Sequence, residues 1–403
     1  MSDGKSSLSG FIAFIVFVAL QGCAPFPKEG GAPAPPASPA PPQEAPTREA
    51  PAPPGPPFRG PDTRPFFMGF TLWPADLSAE GIRVAREFAH AHGDIVSVTF
   101  IGGIPWPEAL ADKPYSKDVQ EAMSYRPPAG KKLFLSISPL DKDRRGLASY
   151  WGERDNLPLP PPWSKQPLNS PSVKKAYLNF ALRCVQAMRP DYLAIGVESN
   201  VLLSRDAAGW RQLKELHRET YRALKKKYPA LQVFFTTDVL HYKRLAGEAR
   251  GADQEREVAD LMRQSDLFAM SAYPHMSPAV PRPVPANFFA FASRFKKPVA
   301  VSESGMTSRD VPLRSYGVTL KGSEGDQRQF AELLLSTAAR EGYEFVINFA
   351  TTDSDKLVAK LPPSMSELAG IWAYTGMQTA DGRPKPALAV WDAYFRAKLV
   401  RVW

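Results

Sequence analysis

Asp191-Tyr192-Leu193-Ala194-Ile195-Gly196-Val197-Glu198-Ser199-Asn200 is the stretch on which the fold turns, because an apolar run ends abruptly in a carboxylate. A second stretch repeats the pattern: Pro298-Val299-Ala300-Val301-Ser302-Glu303-Ser304-Gly305. Runs of this length, apolar on consecutive rather than alternate residues, read as strands buried on both faces, the habit of parallel sheets covered by helices. A carboxylate at the edge of such a run loses hydration at large cost unless it is paired or does chemistry. Glu198 and Glu303 are therefore candidates for a catalytic pair.

Working outward from these two, the same kind of run recurs along the chain. Strands are predicted over Phe67 to Leu72, Ile95 to Ile101, Lys132 to Ser138, Tyr192 to Val197, Gln232 to Thr237, Asp266 to Ala272, Pro298 to Val301 and Glu344 to Phe349. Helical periodicity falls between them. Ser78 to His92 opens on a capping serine; Val173 to Met188 puts Ala176, Phe180 and Cys184 on one stripe; Trp210 to Lys227 does the same with Leu213, Leu216 and Leu224. Asp326 to Arg340 and Pro386 to Lys398 supply the later helices. The second helix, within Ser116 to Tyr125, and the sixth, Asn287 to Phe295, have the weakest patterns. Eight strand-helix units predict an α/β fold, a (β/α)8 TIM barrel, with a doubly wound open sheet as the alternative.

The segment before the barrel has a different composition. Lys5 precedes an apolar run, Phe11 to Leu20, of signal-peptide rather than membrane-spanning length, followed by Leu20-Gln21-Gly22-Cys23. That ending resembles a bacterial lipobox, which implies lipidation of Cys23 and a membrane anchor. From Pro25 to Pro65 the chain carries 16 of its 42 prolines, interleaved with alanine, and cannot build a core. The expected organisation is a lipoprotein signal peptide at 1–22, a Pro/Ala-rich stalk at 23–65 and one domain at 66–403. Acidic and basic residues balance up to residue 65, so the net charge of +9 belongs to the domain. No single basic block dominates: Lys225-Lys226-Lys227 reads as a helix C-terminus, and no nucleic-acid motif is present. Cys184 lacks a partner and reads as a small buried hydrophobe.

In a barrel, function belongs at the C-terminal ends of the strands. Strand one ends at Trp73, two at Trp106, four at Glu198 and Asn200, five at Asp238 and His241, six at Tyr273 and His275, seven at Glu303 and eight at Asn348. Trp372 follows strand eight. Aromatic rings among carboxylates and amides on one rim suit a carbohydrate, whose apolar faces stack on rings while its hydroxyls bind polar groups. Neither His241 nor His275 has metal-ligand spacing, and Ile101-Gly102-Gly103 lacks phosphate-loop spacing, so no metal or cofactor is expected. The long segment Leu140 to Pro171, with Trp151 and Trp163, would lie on the same rim, either walling a cleft or packing on the barrel edge.

On these residues the chain resembles the clan A glycoside hydrolases, most closely the endo-galactanase-like members, over the whole domain. Asp381-Gly382-Arg383-Pro384-Lys385-Pro386-Ala387-Leu388 is similar to the ending of many such barrels. The resemblance implies a retaining hydrolase with Glu198 as acid/base, Glu303 as nucleophile and Tyr273 donating a hydrogen bond to the nucleophile. Carboxyl groups in such a pair stand roughly 5 to 5.5 Å apart. It also implies that Glu303 stays ionised while Glu198 holds the proton. One position departs from the pattern. The family carries asparagine immediately before the acid/base, binding the sugar 2-hydroxyl, and here that residue is Val197, which leaves Asn200 or another residue to replace it. A barrel that binds glycan without cleaving it is the second expectation.

Overall fold

The structure, a computed structural model, describes residues 58–76, 78–100, 102–247 and 253–401. The signal segment, Cys23 and nearly all of the proline stalk lie outside the described residues.

Eight parallel strands close into a barrel: β1 Phe67–Thr71, β2 Ile95–Phe100, β3 Lys132–Ile137, β4 Tyr192–Ala194, β5 Gln232–Phe234 continued as Thr236–Asp238, β6 Phe268–Ala272, β7 Val299–Ser304 and β8 Phe345–Asn348. Neighbours in sequence are neighbours in the sheet, and β8 returns to pair with β1. The two halves of β5 make the closure. The first half pairs with β4 and the second with β6, so the interruption at Phe235 lets one strand turn the corner. No strand order reverses, which excludes the doubly wound alternative.

Side-chain alternation separates two cores. Phe67, Ile95, Phe134, Tyr192, Phe234, Phe345 and Ile347 fill the barrel interior, whereas Met68, Phe70, Leu133, Leu135, Leu193 and Val346 face the helices. Phe134, Phe234 and Phe345 have ring centroids 5.1 to 6.3 Å apart and plug the interior. Truncating one such ring costs about 3 to 5 kcal/mol. The lower barrel is therefore solid, and only the upper interior is left for polar groups.

The helices follow the expected stripes. Ala79–Ala91 is capped by Ser78, Pro171–Met188 buries Ala176, Phe180 and Cys184, and Ala207–Lys227 buries Leu213, Leu216 and Leu224. Glu324–Glu341 and Pro386–Phe395 complete the later units. Where periodicity was weakest the elements are short: Lys117–Ala122 after β2, preceded by Trp106–Ala111, and only a 3-10 segment, Ala290–Phe295, after β6. Folded contacts also begin before the composition changes. Thr63–Arg64 pairs with Lys398–Leu399, the Arg64 guanidinium meets Asp94 at 2.7 Å, and Phe58 stacks on Tyr394.

Candidate active site

Each glutamate reaches the barrel mouth by a local irregularity. Glu198 follows β4 in the left-handed region, with φ 47°, and its N–H donates to Thr236 Oγ1 at 2.8 Å. Few non-glycine residues adopt that conformation, and where they do the surrounding structure has to enforce it. Glu303 owes its direction to a bulge. Met270 pairs with Val301 but Ser271 pairs with Glu303, so Ser302 is an extra residue and its hydroxyl donates to Met270 O at 3.0 Å. Without the extra residue, strict alternation from inward-facing Ala300 would turn Glu303 outward.

The two carboxyls share one electrostatic environment with Asp238, His241, Tyr273 and Arg144. Arg144 Nη2 donates to Glu198 Oε2 at 3.1 Å, and Arg144 Nε donates to Val197 O at 3.0 Å. Tyr273 OH donates to Glu303 Oε2 at 2.9 Å. His241 Nδ1 lies 2.7 Å from Asp238 Oδ1, which also accepts the His241 N–H. Burial pushes the Glu198 carboxyl up, against the pull of Arg144; Asp238 adds to the rise and His241 opposes it. Burial and the neighbouring Glu198 charge push Glu303 up to about 7, opposed by the Tyr273 hydrogen bond. Below neutrality the pair therefore retains a proton. In the free protein Arg144 is bonded to Glu198, whereas Glu303 accepts from the neutral Tyr273 hydroxyl and feels Arg144 without a bond to it. This is the reverse of the arrangement that would keep Glu303 ionised and Glu198 protonated.

The other rim residues divide into two groups. Trp73, Phe349, Tyr273 and Trp372 form a continuous aromatic wall, with centroid separations of 5.2 Å for the first pair and 6.4 Å from Tyr273 to each of Phe349 and Trp372. Asp238 and His241 stand with the glutamates. Trp106, by contrast, is fully buried, stacks on Trp163 at 5.3 Å and donates its indole N–H to Ala148 O, so it packs on the barrel edge. Trp151 likewise donates to Asp118. Asn200 starts the short helix Asn200–Arg205, and its amide is held on both sides by the Asp238 backbone: Nδ2 to Asp238 O at 3.0 Å and Oδ1 from Asp238 N at 2.7 Å. Its Nδ2 also meets Gln254 Oε1 at 3.1 Å, so both amide hydrogens are taken up by the scaffold. Asn348 donates to Ala350 O and Thr375 O, and His275 Nε2 meets Ile371 O at 3.1 Å; both hold loops that frame the site. Burial pushes the His275 imidazole down to about 4, which keeps it neutral.

Arg144 was not foreseen. It lies in the Leu140 to Pro171 segment, among Asp141-Lys142-Asp143-Arg144-Arg145, where a charged run reads as solvated surface. Its φ of 52° and its carbonyl contacts with Asp141 and Lys142 fold the loop back so that the guanidinium enters the barrel mouth.

Known proteins of this architecture carry their chemistry at the same place. What the fold defines here is a (β/α)8 barrel with a glutamate at the C-terminal end of strand four and another at that of strand seven. The family model described as Glycosyl hydrolase family 53 matches residues 151–332, a span that includes both Glu198 and Glu303. Two solved structures share the barrel. One is an exo-beta-1,4-mannosidase from Opitutaceae bacterium strain TAV5, with TM-score 0.54 and 17% identity over 85% of this chain and 61% of that chain. The other is a GH5_18 variant from Streptomyces cattleya in complex with Manb1-4GlcNAc, with TM-score 0.51 and 17% identity over 82% and 80%. The chain thus spans about three fifths of the mannosidase. No curated protein sequence matches it.

Proposed function

We propose that this protein is a retaining glycoside hydrolase acting on a poly- or oligosaccharide outside the cytoplasm, tethered to a membrane by a lipid on Cys23. The observation that carries this reading is the pair Glu198 and Glu303, raised on strands four and seven into one cluster in which Glu198 is buried and Glu303 half-buried, with Tyr273 donating to Glu303. In the double displacement, a Glu303 oxygen attacks the anomeric carbon as the glycosidic C–O bond breaks, and Glu198 gives its proton to the departing oxygen. Water then releases the sugar from Glu303, and Glu198 takes that water's proton. The proton that the pair retains below neutrality has to sit on Glu198 when the first bond breaks. Sugar binding must therefore loosen Arg144 from Glu198.

Hydrolysis of aryl β-glycosides and of galactans and other glycans by wild type and by Glu303→Gln tests this. Loss of turnover in the variant, at least about 100-fold, is expected, and equal turnover would sink the enzyme reading. Labelled fatty acid incorporated by the wild type and absent from Cys23→Ala tests the anchor.

The ion pair between Arg144 and Glu198 favours a second reading, a glycan-binding lipoprotein that does not cleave. Both side chains are buried, with 4% and 6% exposure, and Val197 stands where the resemblance to clan A hydrolases implies a sugar-binding asparagine. Glycan affinity with no turnover by the wild type would establish it.

A further inference from the structure

The two ends of the barrel differ in charge. Each helix runs back along the barrel, so it finishes, and the next strand starts, at the end opposite Glu198 and Glu303. That end comprises 58–67, where the chain enters, 392–401, where it leaves, and seven links. Each link runs from the last four helical residues to the first residue of the strand they lead into: 88–95, 119–132, 185–192, 224–232, 261–268, 292–299 and 338–345. These stretches hold 17 of the 50 Lys and Arg but only 8 of the 41 Asp and Glu, so the remainder balances and the whole net charge of +9 lies here. Six of the eight acids are bonded to a cation or an imidazole within the fold. Arg126, Arg189, Lys226, Lys227, Lys296 and Lys398, by contrast, are exposed and carry no ion pair among the described residues. They lead into β3, β4, β5 and β7 or follow the last helix, and so ring the barrel.

Attraction to helix C-termini does not account for the ring, because it fades beyond the last turn and four of the six lie past their helix: Arg126, Arg189, Lys296 and Lys398. Two further features mark the same end. Val400, at 41% exposure, is the one large apolar side chain left exposed among the described residues. The chain also enters there, since Thr63–Arg64 pairs with Lys398–Leu399 and Arg401 bonds Pro65 O and Glu344. We propose that this end of the barrel docks on a bilayer surface bearing anionic phospholipids, with the mouth that holds Glu198 and Glu303 turned away from the membrane. The proposal rests on the lipid-anchor reading of Cys23. Cations spread over separate links match a field of headgroup phosphates, whereas a single small anion needs donors that converge. The 34 residues between Cys23 and Phe58 reach on the order of 100 Å at most, so an anchored domain stays close to the surface and a modest attraction is enough to seat it.

The test places a polarity-sensitive, thiol-reactive dye at either end of the full-length lipidated protein. Cys184 is buried, so an added cysteine takes the label: Val400→Cys at the docking end, Asp381→Cys in the exposed loop after β8 at the mouth end. On vesicles of phosphatidylcholine with about 30 mol% phosphatidylglycerol the dye at 400 is expected to shift to the blue, and on phosphatidylcholine alone it should not. The dye at 381 should shift on neither. About 0.5 M NaCl should abolish the shift, and so should Arg189→Glu, Lys226→Glu, Lys227→Glu and Lys296→Glu combined. That variant should melt near the wild-type temperature, since none of the four residues carries an ion pair among the described residues. Equal emission at 400 on both kinds of vesicle, a shift at 381 as large as at 400, or a shift that survives the four substitutions would each overturn the docking face. A shift produced by dextran sulfate and by no vesicle would overturn it too and reassign the end to an anionic polymer. If the intact mass shows no fatty acid on Cys23, the anchor reading has failed, and flotation of the unlipidated protein with vesicles tests the face by itself. Flotation favouring anionic over neutral vesicles, at least about tenfold weaker in the fourfold variant, then supports the face, and no such preference refutes it.

Discussion

Arg144 and Glu198, which follow neighbouring strands, share matching backbone conformations, φ 52° and 47°, and their side chains meet at 3.1 Å. Each residue sits where non-glycine residues seldom do, and each is held there by the other's segment, since Arg144 Nε also takes the Val197 carbonyl. The pair therefore couples the loop after β3 to the end of β4. Anything that changes the protonation of Glu198 is felt by that loop, and any movement of the loop changes the acidity of Glu198.

Replacing Arg144 with Met removes the only cation bonded to Glu198 among the described residues. The carboxyl, already raised by burial, then rises further. For a general acid, activity is lost as pH climbs through its pKa, so the basic limb of the kcat/KM profile is expected to shift to higher pH. Stability should fall by about 3 kcal/mol at pH 8, where the buried carboxylate loses its partner, and by less at pH 5, where it takes up a proton. Denaturant titrations at the two pH values check the second point. A basic limb that stays in place would show that Arg144 does not govern Glu198.

Glu303→Gln separates chemistry from stability. Turnover is expected to drop at least about 100-fold. The folded carboxyl is pushed up to about 7 from an ordinary value of 4.5, so the folded state binds its proton more tightly than the unfolded chain does. Wild-type stability is then fully present below about pH 4.5 and falls as pH rises through 7. Gln carries no such penalty. The variant should equal the wild type near pH 4 and exceed it at pH 8 by on the order of 3 kcal/mol. A variant less stable than the wild type at pH 8 would show that Glu303 is held as a structural carboxylate.

Asn200→Ala distinguishes scaffold from ligand. The amide bonds both the N–H and the C=O of Asp238 at the end of β5. Its loss is expected to cost about 2 kcal/mol and to lower kcat through looser placement of Asp238 and His241. A rise in KM with unchanged thermal stability would instead make Asn200 a sugar contact.

The barrel could be read in the sequence because its strands, buried on both faces, are continuous apolar runs, and because glutamate at the end of such a run is conspicuous. Tyr273 was placed correctly against Glu303 by the resemblance. What could not be read depends on contacts between residues distant in the chain. The path of the loop that brings Arg144 to Glu198 is one instance. The bulge at Ser302 is another, for it fixes which of Ser302 and Glu303 faces inward and exists only as a mismatch between two strands. Asn200 looked like a rim amide because it follows Glu198 by two residues. The chain turns into a helix there and directs the amide at its own scaffold. Trp106 misled for a similar reason: aromatic character does not say whether a ring at a strand end faces the cleft or the flanking helices.

Two buried imidazoles make the fold sensitive to acid in the opposite sense from Glu303. His217 Nε2 meets Gln264 O at 2.7 Å behind the barrel, His275 Nε2 meets Ile371 O above it, and burial pushes both down to about 4. The unfolded chain protonates each near 6.5, so between 6.5 and 4 it binds more protons than the folded state. Their contribution is present above about pH 6.5 and is lost as pH falls through 4, by on the order of 3 kcal/mol each. Glu303 works the other way over the neighbouring window, gaining stability as pH falls from 7 to 4.5. Glu303 offsets only about half of that loss, so the wild-type decline below pH 6.5 is shallower than the two imidazoles alone would give. Glu303→Gln removes the opposing contribution and should leave a clear decline between pH 6.5 and 4. His217→Gln, which can still donate to Gln264 O, should flatten that decline when combined with Glu303→Gln. Urea midpoints across pH 4 to 8 for the three proteins measure this. Equal slopes for the single and double variants below pH 6.5 would refute the assignment to His217.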